Sequence, residues 1–132
     1  MREILFRGKR IDNSEWETGS LVYARMGTSE EQVGIADKMT AYHTPVIPET
    51  VGQYTGLTDK NGKKIFEGDI LEGDLEDNLD PGAKWRSVVV WGKFGWNCKG
   101  GHVSLPIDEF DIKEGEVIGN IHDNSELMEV ER

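Results

Sequence analysis

Residues 51–72 read VGQYTGLTDKNGKKIFEGDILE, and this stretch decides the fold. Gly52, Tyr54 and Gly56 alternate with Gln53, Thr55 and Leu57, the period-two spacing of a strand. Asp59-Lys60-Asn61-Gly62-Lys63 is the strongest turn signal in the chain, because Asn61-Gly62 tolerates the positive φ angles of a type I′ turn. The chain then returns through Lys64-Ile65-Phe66, turns again at Glu67-Gly68-Asp69, and enters Ile70-Leu71-Glu72. Strand, turn, strand, turn and strand follow one another with no room for a helix.

The same grammar extends in both directions. Ile4 to Arg7 reads as a first strand, followed by Gly8 and the polar turn Asp12-Asn13-Ser14. Trp16 to Tyr23 reads as a second, pairing with the first as a hairpin, and Gly19 within it signals a bulge or a close backbone approach. Val33-Gly34-Ile35 and Met39 to Tyr42 are candidates for short strands, and Pro45 and Pro48 force Val46-Ile47 to be extended. Gly73 to Gly82 is an acidic loop. Trp85 to Trp91 is a strand whose Val88-Val89-Val90 core predicts burial on both faces. Continued extension would place Val88, Val90, Phe94, Trp96 and Cys98 on one face, whereas Gly92 and Gly95 favour a hairpin bend. Val103, Leu105 and Ile107 alternate with polar positions, and Pro106 puts that strand at an edge or ends it. Glu116 to Ile121 is the last strand, after which Asp123-Asn124-Ser125 can cap a short helix over residues 126–130. The expected fold is mainly β, a small β-barrel or sandwich-like domain of short strands with a short C-terminal helix.

Composition agrees. The 132 residues suit one domain, 1–132, with a barrel-like core at 51–107 and N- and C-terminal strands packing on it or exchanging between subunits. The 16 glycines disfavour long helices, since each interior glycine costs a helix about 1 kcal/mol. A formal net charge of -10 disfavours general nucleic-acid binding and adsorption to anionic lipid. Cys98 is the single cysteine and excludes an internal disulfide. No apolar run approaches the ~20 residues of a membrane span, so the expectation is a soluble, cytoplasmic protein.

Four stretches resemble the YopX family of phage and prophage proteins: MREILFRGKRIDNSEWETGSLV, IPETVGQYTGLTDKNGKKIFEGDIL, the weaker VVVW region, and EVIGNIHDNSELM. They lie in family order from one end of the chain to the other. The resemblance implies a small, mainly β protein encoded by a bacteriophage or prophage, expressed in a bacterial host cell, with no established enzymatic activity. It supplies no catalytic residues. His122 departs from the Tyr or Phe usual after the Gly-Asn-Ile stretch, and residues 24–44 and 73–86 fall outside the shared motifs.

The motif residues have structural readings. Glycines at alternate positions of the strand from Gly52 to Gly56 let a backbone or a large ring pack close, with Trp16, Trp85, Trp91 or Trp96 as the filler. In Phe66-Glu67-Gly68-Asp69-Ile70, Gly68 supplies unusual backbone angles and Asp69 caps adjacent amides.

Chemical constellations are sparse. Cys98 and His102 are four apart, but Gly100-Gly101 breaks any helix between them and no second ligand pair exists, so Cys98 reads as a small core residue. Glu67 to Asp80 holds seven acids and no base, and Asp108 to Arg132 holds nine acids and two bases. Asp74, Glu76, Asp77 and Asp80 offer oxygens but lack calcium-loop spacing. The plainer reading of segments 67–80 and 108–131 is a solvated acidic surface. Arg2, Arg7, Lys9 and Arg10 form a basic N-terminus that can face these acids within one chain or between subunits, and first and last strands are natural edges for exchange.

No catalytic, cofactor-binding or metal-ligating residue is assigned. The favoured function is a non-enzymatic binding or assembly protein, a homo-oligomer or the partner of a host or phage protein. Two alternatives are weaker: an acidic nucleic-acid mimic acting on a host enzyme, and a metal-dependent hydrolase using Glu67, Asp69 or the 74–80 loop. Nucleic acid itself is disfavoured as a partner, with the N-terminal basic cluster its only support.

Overall fold

Eleven strands and two short 3₁₀ turns carry the described chain: β1 (Phe6–Lys9), β2 (Trp16–Arg25), β3 (Glu31–Ala36), β4 (His43–Pro45), a 3₁₀ turn (Pro48–Thr50), β5 (Gly52–Thr58), β6 (Lys64–Phe66), β7 (Asp69–Asp74), β8 (Lys84–Gly92), β9 (Gly95–Gly100), β10 (Val103–Pro106), β11 (Glu116–Asn120) and a 3₁₀ turn (Ser125–Met128). The computed structural model describes residues 3–25, 31–37, 42–74, 82–92, 95–100, 103–106 and 115–128, with backbone alone at 24, 25, 31, 92 and 103–106. The protein is mainly β, as the turn spacing predicts. Its strands form a six-stranded sheet in the order β4-β3-β2-β1-β5-β6 and a five-stranded sheet in the order β10-β9-β8-β7-β11. Both sheets are open, so the closed-barrel form of the expectation is not realised among the described residues. The strands of residues 51–107 are divided between the two sheets instead. The chain partitions into two compact units, Met1–Tyr54 and Thr55–Arg132.

In the first unit, β1 and β2 form the expected hairpin with Phe6 opposite Gly19 and Lys9 opposite Trp16. β1 also pairs with β5, Phe6 opposite Gln53. The first strand is therefore interior, not at a sheet edge as expected. Gly8 belongs to β1 rather than to the turn, paired with Glu17, and a Cβ there would lie 2.8 Å from the Cγ2 of buried Val46. Gly19 makes the close approach expected of it: a Cβ there would run into the Ala36 carbonyl oxygen of β3. The β1–β2 register runs up to Gly19 without a shift, so it is not a bulge. Thr50 locks the segment after Pro48. Its hydroxyl donates to the Ile47 carbonyl at 2.6 Å and accepts the Lys9 N–H at 2.9 Å. The expected strand at Met39 to Tyr42 lies largely outside the described residues, and Tyr42 itself is not in a strand.

In the second unit, buried Ile65, Leu71 and Val89 form the core, with Leu57, Trp85, Trp96, Cys98 and Val117 packed against them. Register explains the set. Val117 opposes Leu71, Leu71 opposes Ser87, and Val89 opposes Cys98, so one sheet face is assembled from four strands. Gly92 pairs with Gly95, which makes the favoured hairpin bend and puts Trp96 and Cys98 on the face of Val89. The extended alternative, which grouped them with Val88 and Val90, is thereby corrected. Val89 is fully buried, while Val88 and Val90 are half-buried. Pro106 lies in β10, an edge strand, as its missing N–H requires. The C-terminal helix is a single 3₁₀ turn, Ser125–Met128, with residues 129–132 outside the described part.

Two glycine assignments change. A Cβ on Gly73 would fall inside the Trp85 indole, so the ring that needs a glycine beneath it is Trp85 over its cross-strand neighbour in β7. Gly56 has open space above it and φ of +89°, so it serves the backbone angle rather than a ring.

Candidate functional site

In the second unit a polar arrangement is built around Asp59. The turn between β5 and β6 has Asp59 N–H donating to the Lys63 carbonyl at 2.8 Å and Gly62 N–H donating to the Asp59 carbonyl at 3.0 Å. Gly62 has φ of +81°, while Asn61 does not take a positive φ. The loop is thus Lys60-Asn61-Gly62, a turn followed by a left-handed glycine, and not a two-residue type I′ turn. The side chain of Asp59 selects the longer loop. Oδ1 accepts the N–H groups of Asn61 and Lys63, each at 2.9 Å, and Oδ2 accepts the Val117 N–H of β11 at 2.9 Å. Lys60 N–H adds a bond to the Gly115 carbonyl at 3.0 Å, and Asn61 Nδ2 donates to Glu116 at 3.3 Å. Burial pushes the Asp59 carboxyl upward, but the amides of Val117, Lys63 and Asn61 together hold it below its ordinary value. The bond to Val117 occupies a backbone N–H of the edge strand β11, which blunts that edge.

A second knot closes the other end of β11. Gly68 has φ of +89°, and Asp69, 1% exposed, accepts the Phe66 N–H on Oδ2 at 2.7 Å, as the turn reading predicts. Asn120 opposes Asp69, and its Oδ1 accepts the N–H groups of His122 and Asp123, both at 3.0 Å. Ile121 N–H donates to the Gly68 carbonyl at 2.9 Å. His122 lies over Gly68, its Nε2 3.5 Å from where a Cβ would be, so the imidazole occupies space beside the Gly68 turn.

The acids singled out from sequence are not brought together. Glu72 accepts from Arg86 Nε at 2.7 Å and Asp74 pairs with Lys84, each acid directly opposite its base in the β7–β8 ladder. The Lys84 hydrogen bond holds the Asp74 carboxyl below its ordinary value. Asp69 is committed to the Phe66 amide, and Glu76, Asp77 and Asp80 lie outside the described residues. Among the described residues no group of three or more His, Cys, Asp or Glu is placed to hold a metal ion. Cys98 is half-buried against the core, while His102 lies outside the described residues. At the basic N-terminus, Arg10 pairs with Asp12 at 2.7 Å and Glu17 at 3.3 Å within its own hairpin, and the Arg7 guanidinium sits 4.7 Å from the centre of the Trp16 ring.

One feature escaped the sequence reading. Trp91 at the end of β8 is 62% exposed and stands edge-on to Trp96 of β9, ring centres 4.8 Å apart. Asn97, the next residue, pairs with Pro106 of edge strand β10. An exposed indole thus lies at the β8–β9 hairpin end, one strand in from β10, the last strand of the five-stranded sheet among the described residues. The available signal was the hairpin glycine pair Gly92 and Gly95, which sets Trp91 directly opposite Trp96.

The sequence profile described as YopX protein matches residues 5–129. The chain belongs to the YopX family. Its fold is shared by a solved structure, the crystal structure of protein EF1440 from Enterococcus faecalis, at a TM-score of 0.63 and 23% identity, covering 98% of this YopX-family chain and 100% of that one. At that identity the likeness shows the fold alone. No curated protein matches the sequence. No helix among the described residues of this YopX-family member is long and apolar enough to cross a membrane.

Proposed function

We propose that this YopX-family protein is a phage- or prophage-encoded binding or assembly module that works through protein contacts, without catalysis, in the cytoplasm of a bacterial host. The observation that carries the reading is the end of the β8–β9 hairpin in the five-stranded sheet, where Trp91 is 62% exposed, one strand in from the edge strand β10. Tryptophan is enriched at the buried centres of protein interfaces, where it contributes large contact area. An unpaired edge offers backbone groups for strand addition. β11, the opposite edge, is capped by Asp59 and is left out of the proposed contact. The occupant is a second copy of the chain, with a host or phage protein as the other outcome. The acidic-mimic alternative loses support because Glu72 and Asp74 already carry their own cations.

Cross-linking of mixed isotope-labelled and unlabelled protein tests the reading. Links between a labelled and an unlabelled chain are expected at Lys99, which is exposed on β9 beside the corner. Links confined to single chains, together with no specific capture of a bacterial or phage protein from infected lysate, would overturn it.

A further inference from the structure

Asn61-Gly62 is the sole Asn-Gly pair in the sequence, and the fold places it at the exposed tip of the β5–β6 turn. We propose that Asn61 is a site of spontaneous deamidation, and that its conversion breaks the polar link between this turn and the edge strand β11.

The reaction uses only the chain and water. The backbone nitrogen of Gly62 gives up its proton to solvent hydroxide and attacks Cγ of Asn61. The new N–Cγ bond closes a five-membered succinimide as Nδ2 departs with a proton as ammonia. Water then adds to one of the two ring carbonyls and breaks one C–N bond, leaving either aspartate or isoaspartate at position 61. The net change is one water gained and one ammonia lost, with no oxidation or reduction.

Geometry makes this position distinct. Glycine after the asparagine offers no side chain to hinder ring closure, and no atom lies within 4 Å of the place where a Gly62 Cβ would stand. Asn13, Asn97 and Asn124 are followed by Ser14, Cys98 and Ser125, whose side chains crowd the same attack. Gly62 N–H is held by the Asp59 carbonyl at 3.0 Å, which slows the step in the folded chain without closing the site to solvent.

The consequence follows from the neighbours. Asn61 Nδ2 donates to Glu116 Oε2 at 3.3 Å. After conversion, position 61 carries a carboxylate where that donor stood, with Glu116 in front of it and the Asp59 carboxylate behind it. A hydrogen bond becomes like-charge repulsion at the point where the turn holds β11.

The test is a time course of the intact protein at mildly alkaline pH, read by peptide mass mapping and by enzymatic detection of isoaspartate. Asn61 is expected to convert several-fold faster than Asn13, Asn97 or Asn124. The N61D variant is expected to unfold at lower denaturant than the parent, with β11 amides exchanging faster. Equal conversion at another asparagine, or an N61D variant whose unfolding midpoint and β11 exchange match the parent, would overturn the proposal.

Discussion

The Asp59 carboxylate accepts the backbone N–H of Val117 at 2.9 Å, joining a β-turn to a strand 58 residues later in the chain. The same side chain organises its own loop through Asn61 and Lys63. One buried acid therefore sets a local turn and caps a distant edge, and the account of the second unit rests on that pairing.

Replacing Asp59 with Asn removes the acceptor on one side of the carboxyl group and strands at least one amide. The D59N variant is expected to lose about 1–3 kcal/mol at neutral pH, measured by urea unfolding. The pH dependence has a definite sign. The folded pKa of Asp59 is depressed, so its contribution is fully present above the unfolded value of about 3.9 and is lost as pH falls through the folded value. The gap between parent and D59N should narrow as the solution is acidified below pH ~4. A gap that stays constant across that window would count against this role.

Gly73 and Gly56 separate two reasons for a glycine. Gly73→Ala drives a methyl into the Trp85 ring and is expected to cost about 1–3 kcal/mol, with a change in Trp fluorescence. Gly56→Ala meets no atom but forces a non-glycine residue to φ of +89°, costing about 1–2 kcal/mol with the tryptophan spectrum unaltered. Identical spectra for the two variants would contradict the placement of the indole.

Much of this was legible in the sequence. Pro106 announced an edge because it lacks a donor, Gly68 and Asp69 announced a turn, and Gly92 with Gly95 announced a hairpin. What stayed hidden depends on partners far away in the chain. Alternation of side chains reveals which face a residue occupies but not which strand lies beside it, so the interior position of β1 between β2 and β5 could not be read from residues 4–7. Asn61-Gly62 marked a turn, but the length of its loop is set by Asp59, whose third bond is to Val117. Trp85 over Gly73 needs the β7–β8 register, which the intervening acidic segment does not encode. The exposed corner at Trp91 emerged only when the sheet order put β10 at its edge.

Leu71 sits at the centre of the second core, fully buried between Val117 and Ser87. Leu71→Ala is expected to cost about 2–5 kcal/mol in chemical unfolding. A loss under about 1 kcal/mol would show that this face is not the core.

Asp69→Ala leaves the Phe66 amide without its acceptor inside the turn and is expected to destabilise by about 1–3 kcal/mol. Asp69→Asn, which keeps one carbonyl oxygen of similar placement, should recover part of that loss. A D69N variant as unstable as D69A in urea unfolding would count against the turn role of Asp69.

Molar mass by light scattering across the micromolar range, on the parent and on Trp91→Ala, tests the central claim most directly. The account predicts a parent mass above one chain that falls to that of a single chain in W91A, with W91A still folded and its unfolding midpoint, unlike the parent's, independent of protein concentration. A parent that is a clean monomer, or a W91A variant with unchanged assembly, would contradict self-association through the Trp91 corner.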